Sequence, residues 1–320
     1  MLAKRKPGIS VLIATQNEEA LISLCIRSFL DFGDELIVVD NGSTDHTKEI
    51  VRDLQSQYPK KIKFFDKPEL SDLYHNRQYA FERSSYEWIV RADGDFVAYT
   101  DGDYDIMRFR KYLLSFSHRF WPLGISVLLP NIIGDFWHTG VPMKRPGGHK
   151  TNPERKYVPE AVTGHRMRIY RYLPFFRFRR MGRWEGVRFH MLYLAGSIRW
   201  DKPLWMHCNL KSDMTHFLRS ERTNWRQLGA FERFPTLRSY IESIVEVKYG
   251  TKNLEEAAGL YIERHVLPYL EPYDPEKYYP YPSLAIEQME KNPVYKICSS
   301  GSRITRKFYG IGPIPSLDRA

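Results

Sequence analysis

Two aspartates separated by one glycine, Asp93-Gly94-Asp95, follow directly on the apolar run Trp88-Ile89-Val90. A strand ending in such a turn sets two carboxylates at a sheet edge, and the glycine lets a bulky ligand approach the backbone. Hard oxygen donors of this kind suit Mg2+ or Mn2+ held together with a diphosphate. Taken alone, the pattern is equally that of a charged β-turn, where Asp and Gly are common. Two other polar segments also follow apolar runs: Thr15-Gln16-Asn17 after residues 9–15, and Asp40-Asn41-Gly42-Ser43 after residues 35–39.

The elements that position these residues are legible from pattern. Ile9–Thr15, Glu35–Val39 and Ile62–Phe65 are short runs rich in β-branched residues, as buried strands are. Between the first two, Leu21, Leu24, Cys25, Phe29 and Leu30 recur at helical spacing, and Gly33 stands where a helix would stop. A second helix carries Ile50, Val51 and Leu54. Strand–helix alternation with short links predicts a parallel sheet flanked by helices, with ligands bound beyond the carboxyl ends of the strands. Thr15, Asn17, Asp40, Asp93 and Asp95 all fall at or just past such ends.

The segments ISVLIATQNEEALI, ELIVVDNGSTDHT and NRQYAFERSSYEWIVRADGDF together resemble the nucleotide-sugar-binding half of a family 2 glycosyltransferase, over roughly residues 8–100. The resemblance implies an α/β fold of GT-A type, a Rossmann-like and mostly parallel sheet. It implies an inverting enzyme using a nucleotide-diphosphate sugar (UDP-, GDP- or dTDP-linked) and Mn2+ or Mg2+. Carried over, Thr15 and Asn17 would line the base and ribose, and Asp40 would accept a hydrogen bond from the base. Arg77 would meet the base or the phosphates, although Gln78 stands where the family has Asn beside it. Asp93 would hold the ribose or a metal-bound water, and Asp95 the metal. The implied acceptor is a hydroxyl on a glycan or lipid-linked saccharide. A nucleic-acid or protein acceptor, or a non-catalytic nucleotide-sugar or nucleic-acid binder, are the alternatives.

A second Asp-Gly-Asp, Asp101-Gly102-Asp103, lacks a preceding apolar strand and is expected to open the helix of residues 106–116, with Asp103 or Asp105 as its cap. For the general base, Glu185 in Arg183-Trp184-Glu185-Gly186 is the first choice. A base must reach the acceptor hydroxyl, and Trp184 offers the acceptor sugar a flat apolar face. Asp201 and Glu160 are fallbacks. His207, after an apolar stretch, is the expected third metal ligand by likeness of surroundings, ahead of His190, His138 and His216. Lys211 is expected to be a solvated lysine, with help in neutralising the diphosphate as the alternative.

With 320 residues, the chain is long enough for a sizeable core. Domain boundaries are expected at 1–215 for the catalytic domain and 216–320 for a C-terminal helical appendage. The appendage would hold helices at 217–231, 237–247 and 254–267, then an irregular tail rich in proline and tyrosine. No run approaches the ~20 apolar residues of a membrane span, so a soluble cytoplasmic protein is expected, or one peripheral to a membrane. Cys25, Cys208 and Cys298 form no zinc or redox pattern. The net charge of +10 and pI near 9.3 favour an anionic acceptor, a phospholipid surface or a nucleic acid. Arginines and aromatics concentrate at residues 166–183, a mixture that holds phosphates, lies on a membrane, or packs its rings inward. Residues 143–153 are the expected mobile loop.

Overall fold

The computed structural model describes residues 5–70, 73–117, 119, 121–141, 160–181, 184–227, 229–300 and 303–310; of residues 180, 181, 184, 185, 227 and 303 it describes the backbone alone. The expected loop at 143–153 lies outside the described residues.

The first half of the chain runs β1 (Lys6–Thr15), α1 (Ile22–Phe29), β2 (Glu35–Asp40), α2 (Thr47–Gln57), β3 (Ile62–Asp66), α3 (Leu73–Glu82), β4 (Tyr86–Asp93), β5 (Phe96–Ala98) and α4 (Ile106–Leu114). It continues with β6 (Gly124–Ile133), β7 (His138–Gly140), β8 (Val162–Arg171), β9 (Phe178–Met181), β10 (Trp184–Val187), α5 (His190–Ala195), β11 (Ser197–Trp200) and β12 (Trp205–Asn209). Then come α6 (Asp213–Gln227), α7 (Leu237–Tyr249), α8 (Leu254–His265), β13 (Leu270–Pro272), α9 (Ser283–Lys291), β14 (Tyr295–Ser300) and β15 (Arg303–Phe308).

The main sheet has the order β3-β2-β1-β4-β8-β6-β12-β5, with β11 also on β6. Strands β3, β2, β1 and β4 are mutually parallel, as are β11 and β12 with β6; β8 and β5 enter antiparallel. The expected mostly parallel α/β sheet is thus what the chain builds. Alternate residues of β1 feed the two faces. Val11 and Ile13 pack with α1, α2 and α4 through Phe29, Val51 and Phe109, whereas Leu12 packs with α3 and the 170–193 segment through Phe81, Phe176 and Tyr193. Each large apolar side chain so buried stabilises by about 1.5–3 kcal/mol. Covered on both faces, β1 and β2 can only be the continuous apolar runs they are.

Asp105, not Asp103, caps α4, accepting from the Met107 N–H at 2.9 Å. Two expectations about the second half need correction. A boundary at 215/216 would cut α6, whose Phe217 anchors the core formed with α7 and α8. The tail after residue 268 is not irregular, for it contains α9 and the β14–β15 hairpin. Its prolines were read as breakers, yet Pro282 stands at the start of α9, where a missing N–H costs nothing.

Candidate functional site

Sheet register explains why distant segments meet. Thr15 pairs with Asp40 across β1 and β2, and Ala14 with Asp93 across β1 and β4, so the three polar strand ends lie level at the point where the strand order reverses. His207 of β12 pairs with Phe96 of β5 and Asn131 of β6, and the Cys208 N–H donates to the Asp95 carbonyl at 2.8 Å. That carries a residue 112 positions away onto the Asp95 carboxylate. Gly94 is required by crowding: a Cβ there would lie 2.9 Å from Thr15 Oγ1 and 3.2 Å from Glu18 Cγ.

Thr15, Asp93, Asp95 and His207 line a cavity of about 570 Å3 together with Gln16, Glu18, Asn41, Asn209 and residues of α6. Asp93 is gripped by Arg77, which also donates to the Ala92 carbonyl at 2.9 Å, and Arg168 approaches its other oxygen at 3.4 Å. Burial alone would push the Asp93 carboxyl up, but Arg77, Arg168 and Arg91 outweigh it and hold it well below the usual carboxylate range. Asp95 is buried too, and Lys211 with His207 holds it low against the same opposing effect.

Lys211 is not the solvated lysine expected. It is 6% exposed and bridges Glu18, at 2.7 Å, and Asp95, at 2.5 Å. Glu18 also takes Arg219 at 3.0 Å, yet burial, with the charge of Asp95 adding to it, raises its carboxyl above the ordinary value. Behind Lys211 stands Arg306 of β15, buried, donating to the Lys211 carbonyl and to Asp213, both at 2.6 Å. The C-terminal hairpin therefore clamps the loop that delivers the cation.

His207 is oriented by Asn131. The Asn131 amide nitrogen donates to the carbonyls of Leu129 and Glu160 and to Thr163 Oγ1, at 2.8–3.0 Å, so its oxygen is the atom facing His207 Nδ1 at 3.0 Å. Nδ1 must then carry the hydrogen. In a neutral ring Nε2 presents a lone pair, and it points at Asp95 Oδ2 3.2 Å away. Two acceptors face each other, an arrangement that calls for a proton or a cation between them. Asp95 Oδ1, meanwhile, is buried without a hydrogen-bond partner. Among the described residues no three His, Cys, Asp or Glu side chains could hold an ion by themselves. The donor set fits a divalent ion that completes its shell with substrate phosphates and water, as Mg2+ and Mn2+ commonly do.

Five cavity-lining residues present buried polar atoms with no partner among the described residues: Thr15 Oγ1, Asn76 Oδ1, Asp95 Oδ1, Asn209 Oδ1 and His216 Nε2. Burial, helped by Arg306, Lys211 and Arg219, holds the His216 imidazole well below its usual range, so it is neutral there.

Other expected residues are placed differently. Asp40 is buried, and both its oxygens are taken by Ser43, through the backbone N–H at 2.7 Å and the hydroxyl; it staples the loop, and its neighbour Asn41 lines the cavity. Burial raises its carboxyl despite those bonds. Asn17 adopts a left-handed conformation (φ 54°) and receives the Thr44 N–H at 2.8 Å, tying the first loop to the second. Arg77, expected on the ligand, has no exposed surface and faces Asp93 instead, on a helix packed against β1 and β2. Of the alternative histidines only His216 lines the cavity; His138 is held by Asp135 at 2.7 Å, and His190 opens α5. Asp201 is an exposed side chain against His165. Trp184 and Glu185 lie in β10, paired with β9, and their side chains fall outside the described set.

Residues not foreseen are those of α6. Arg219, Arg222, Thr223 and Arg226 share one helical face and line the cavity, Arg219 donating to the Gln16 carbonyl at 3.0 Å and Arg222 facing the Gln16 side chain at 3.5 Å. Their i, i+3, i+7 spacing, soon after Lys211, was the available signal.

The sequence model "Glycosyl transferase family 2" matches residues 10–109. GalNAc(5)-diNAcBac-PP-undecaprenol beta-1,3-glucosyltransferase of Campylobacter jejuni is 32% identical over 104 residues, 32% of this chain and 31% of the relative. Lipopolysaccharide core biosynthesis glycosyltransferase LpsC of Rhizobium meliloti is 34% identical over 91 residues, 28% of this chain and 32% of the relative. The match thus spans less than a third of the length of either relative. Among solved structures, S. aureus TarS 1-349 overlays with a TM-score of 0.37 at 17% identity, covering 67% of this chain and 63% of that one.

Proposed function

We propose that this chain, whose residues 10–109 match the glycosyl transferase family 2 model, belongs to that family and transfers a sugar from a nucleotide diphosphate to an acceptor hydroxyl, with inversion and with Mn2+ or Mg2+. The observation that carries the proposal is the set of five unpartnered buried polar atoms around one cavity. Buried polar groups are normally satisfied. Here they gather beside two cation-held aspartates and an arginine-bearing helix face, which is the surrounding a nucleoside diphosphate needs.

In this reading Thr15, Asn76 and the Asn41 loop meet the nucleoside, with Asp40 and Asn17 holding the loops that present it. Asp93, fixed by Arg77, accepts from the ribose. Asp95 and His207 would hold the ion, His207 Nε2 facing the Asp95 carboxylate. A divalent ion bound there supplies Lewis-acid stabilisation to the departing diphosphate. Lys211, Arg219, Arg222 and Arg226 add fixed positive charge in a partly dry site, where it acts strongly on developing negative charge. Glu185, on β10, is the proposed base and Trp184 the proposed acceptor platform. The names of the two relatives favour a glycan or lipid-linked saccharide as acceptor. No helix among the described residues is long and apolar enough to cross a membrane.

The test is a panel of UDP-, GDP- and dTDP-sugars with Mn2+, scored by release of nucleoside diphosphate and by the anomeric configuration of the product. One donor is expected to turn over, with inversion, and Asp95→Ala to abolish it. Retention of configuration would refute inversion, and turnover unchanged in Asp95→Ala would refute the assigned ion site.

A further inference from the structure

The segment 161–200 contains nine arginines and one acidic residue, Glu185. Two of the arginines are committed inward, Arg168 to Asp93 and Arg171 to Glu87. Arg177, Arg179, Arg188 and Arg199 are exposed, Arg177 and Arg179 alternating with the buried Phe176 and Phe178. Beside them is an apolar surface. Five of the fourteen large hydrophobic side chains exposed among the described residues fall within residues 175–194: Phe175, Phe189, Met191, Leu192 and Leu194, with Met191 73% exposed.

Their arrangement is compact. Phe175 and Phe189 meet edge to face at 5.1 Å, and the Arg188 guanidinium lies over Phe189 at 4.9 Å. The Arg188 N–H donates to the Arg177 carbonyl at 2.8 Å, which places the two arginines side by side at the base of the β9–β10 hairpin. Helix α5 has one buried residue, Tyr193, whose hydroxyl donates to the Arg171 carbonyl at 3.0 Å. That single anchor leaves the helix lying on the surface with its apolar residues outward, the reverse of an ordinary surface helix.

We propose that this face, α5 with Phe175 and Phe189 and its rim of arginines, docks on an anionic lipid bilayer. Aromatic and aliphatic side chains ringed by arginine are the composition of a peripheral membrane surface, and the single sign of charge complements acidic headgroups. A second copy of the chain is a poor occupant, since a two-fold contact of this face with itself would bring together two rims of the same charge. Nucleic acid is disfavoured because three of the five exposed apolar side chains, Met191, Leu192 and Leu194, are aliphatic and offer no flat faces for bases, and Phe175 and Phe189 pack edge to face on each other. The inference stands apart from the sugar-transfer proposal, because none of these residues lines the cavity.

The experiment is co-sedimentation of the full chain with vesicles of phosphatidylcholine alone or mixed with phosphatidylglycerol. Binding is expected only to the anionic vesicles and should weaken as salt rises. Met191→Asp/Leu194→Asp and, separately, Arg177→Gln/Arg188→Gln should each lower the partition coefficient by at least about tenfold, with melting temperatures kept. The arginine pair leaves every apolar side chain in place, so it decides the matter should the first variant misfold. No binding to anionic vesicles, or binding indifferent to the arginine pair, would overturn the proposal. So would concentration-dependent self-association that Met191→Asp abolishes.

Discussion

Replacing Lys211 by Met removes the one cation that Glu18 and Asp95 share, while keeping most of its volume. Its ammonium lies 2.7 Å from Glu18 and 2.5 Å from Asp95, and all three side chains are about 95% buried. Removing one partner from a buried ion pair costs about 3–5 kcal/mol, because a charge is left without compensation. Arg219 remains on Glu18 and His207 on Asp95, so the lower end, about 3 kcal/mol, is expected. For a chain of this size that corresponds to a fall in melting temperature of roughly 6 °C. The loss should depend on pH. Without Lys211 both carboxyls move upward, and a group raised in the folded state binds more protons folded than unfolded. Such a variant gains stability as pH falls toward the ordinary carboxylate range. In the unaltered protein Asp95, held low, stays ionised across that window, and Glu18, already raised, gains less there than it does once Lys211 no longer opposes its burial. The stability gap should therefore narrow between pH 8 and pH 5. Differential scanning fluorimetry over that interval reads it directly. An unchanged melting temperature would show that Lys211 is not a buried bridge, and a gap independent of pH would show that the stranded carboxylates do not cause the loss.

Other consequences follow from the same geometry. Gly94→Ala forces a Cβ to within 2.9 Å of Thr15 Oγ1; a loss of about 1–3 kcal/mol in stability is expected, with donor binding weakened further, as a nucleotide titration would show. Arg77→Met leaves Asp93 with Arg168 at 3.4 Å and the charge of Arg91, costing about 3–5 kcal/mol by denaturant unfolding. Arg77→Lys should restore little, since the planar fork serves Asp93 and the Ala92 carbonyl at once. Arg222→Ala and Arg226→Ala should each weaken nucleotide-diphosphate binding by about tenfold or more, the equivalent of one charged hydrogen bond, while leaving the melting temperature nearly unchanged.

What was legible in the sequence was whatever burial dictates locally. Strands β1 to β4 are short β-branched runs whose ends carry polar turns, and a parallel sheet brings such ends together without further instruction. The convergence of Thr15, Asp93, Asp95 and His207 on one cavity follows from that rule and from the pairing of β12 with β5. What was not legible depends on depth. A lysine is usually solvated, and nothing local in Asn209-Leu210-Lys211-Ser212 announces that Glu18, nearly two hundred residues earlier, folds over it. Arg77 was placed on the ligand because the family resemblance carries it there, but α3 presents it to Asp93. The α6 arginines were assigned to an appendage because apolar spacing drew the boundary, whereas the opposite face of the same helix walls the cavity. Prolines hid α9 for a related reason: at a helix start they are permitted, and in a list they look like breaks.

The most direct test of the central claim is calorimetric titration of the UDP-, GDP- and dTDP-sugar set, with Mn2+ or with chelator, on the unaltered protein and on Asp95→Asn. The account predicts that one donor binds with Mn2+ and weakens by about a hundredfold or more both in chelator and in Asp95→Asn, the equivalent of roughly 2.7 kcal/mol. Binding equally tight with chelator, or the absence of binding by every donor in the presence of Mn2+, would contradict it.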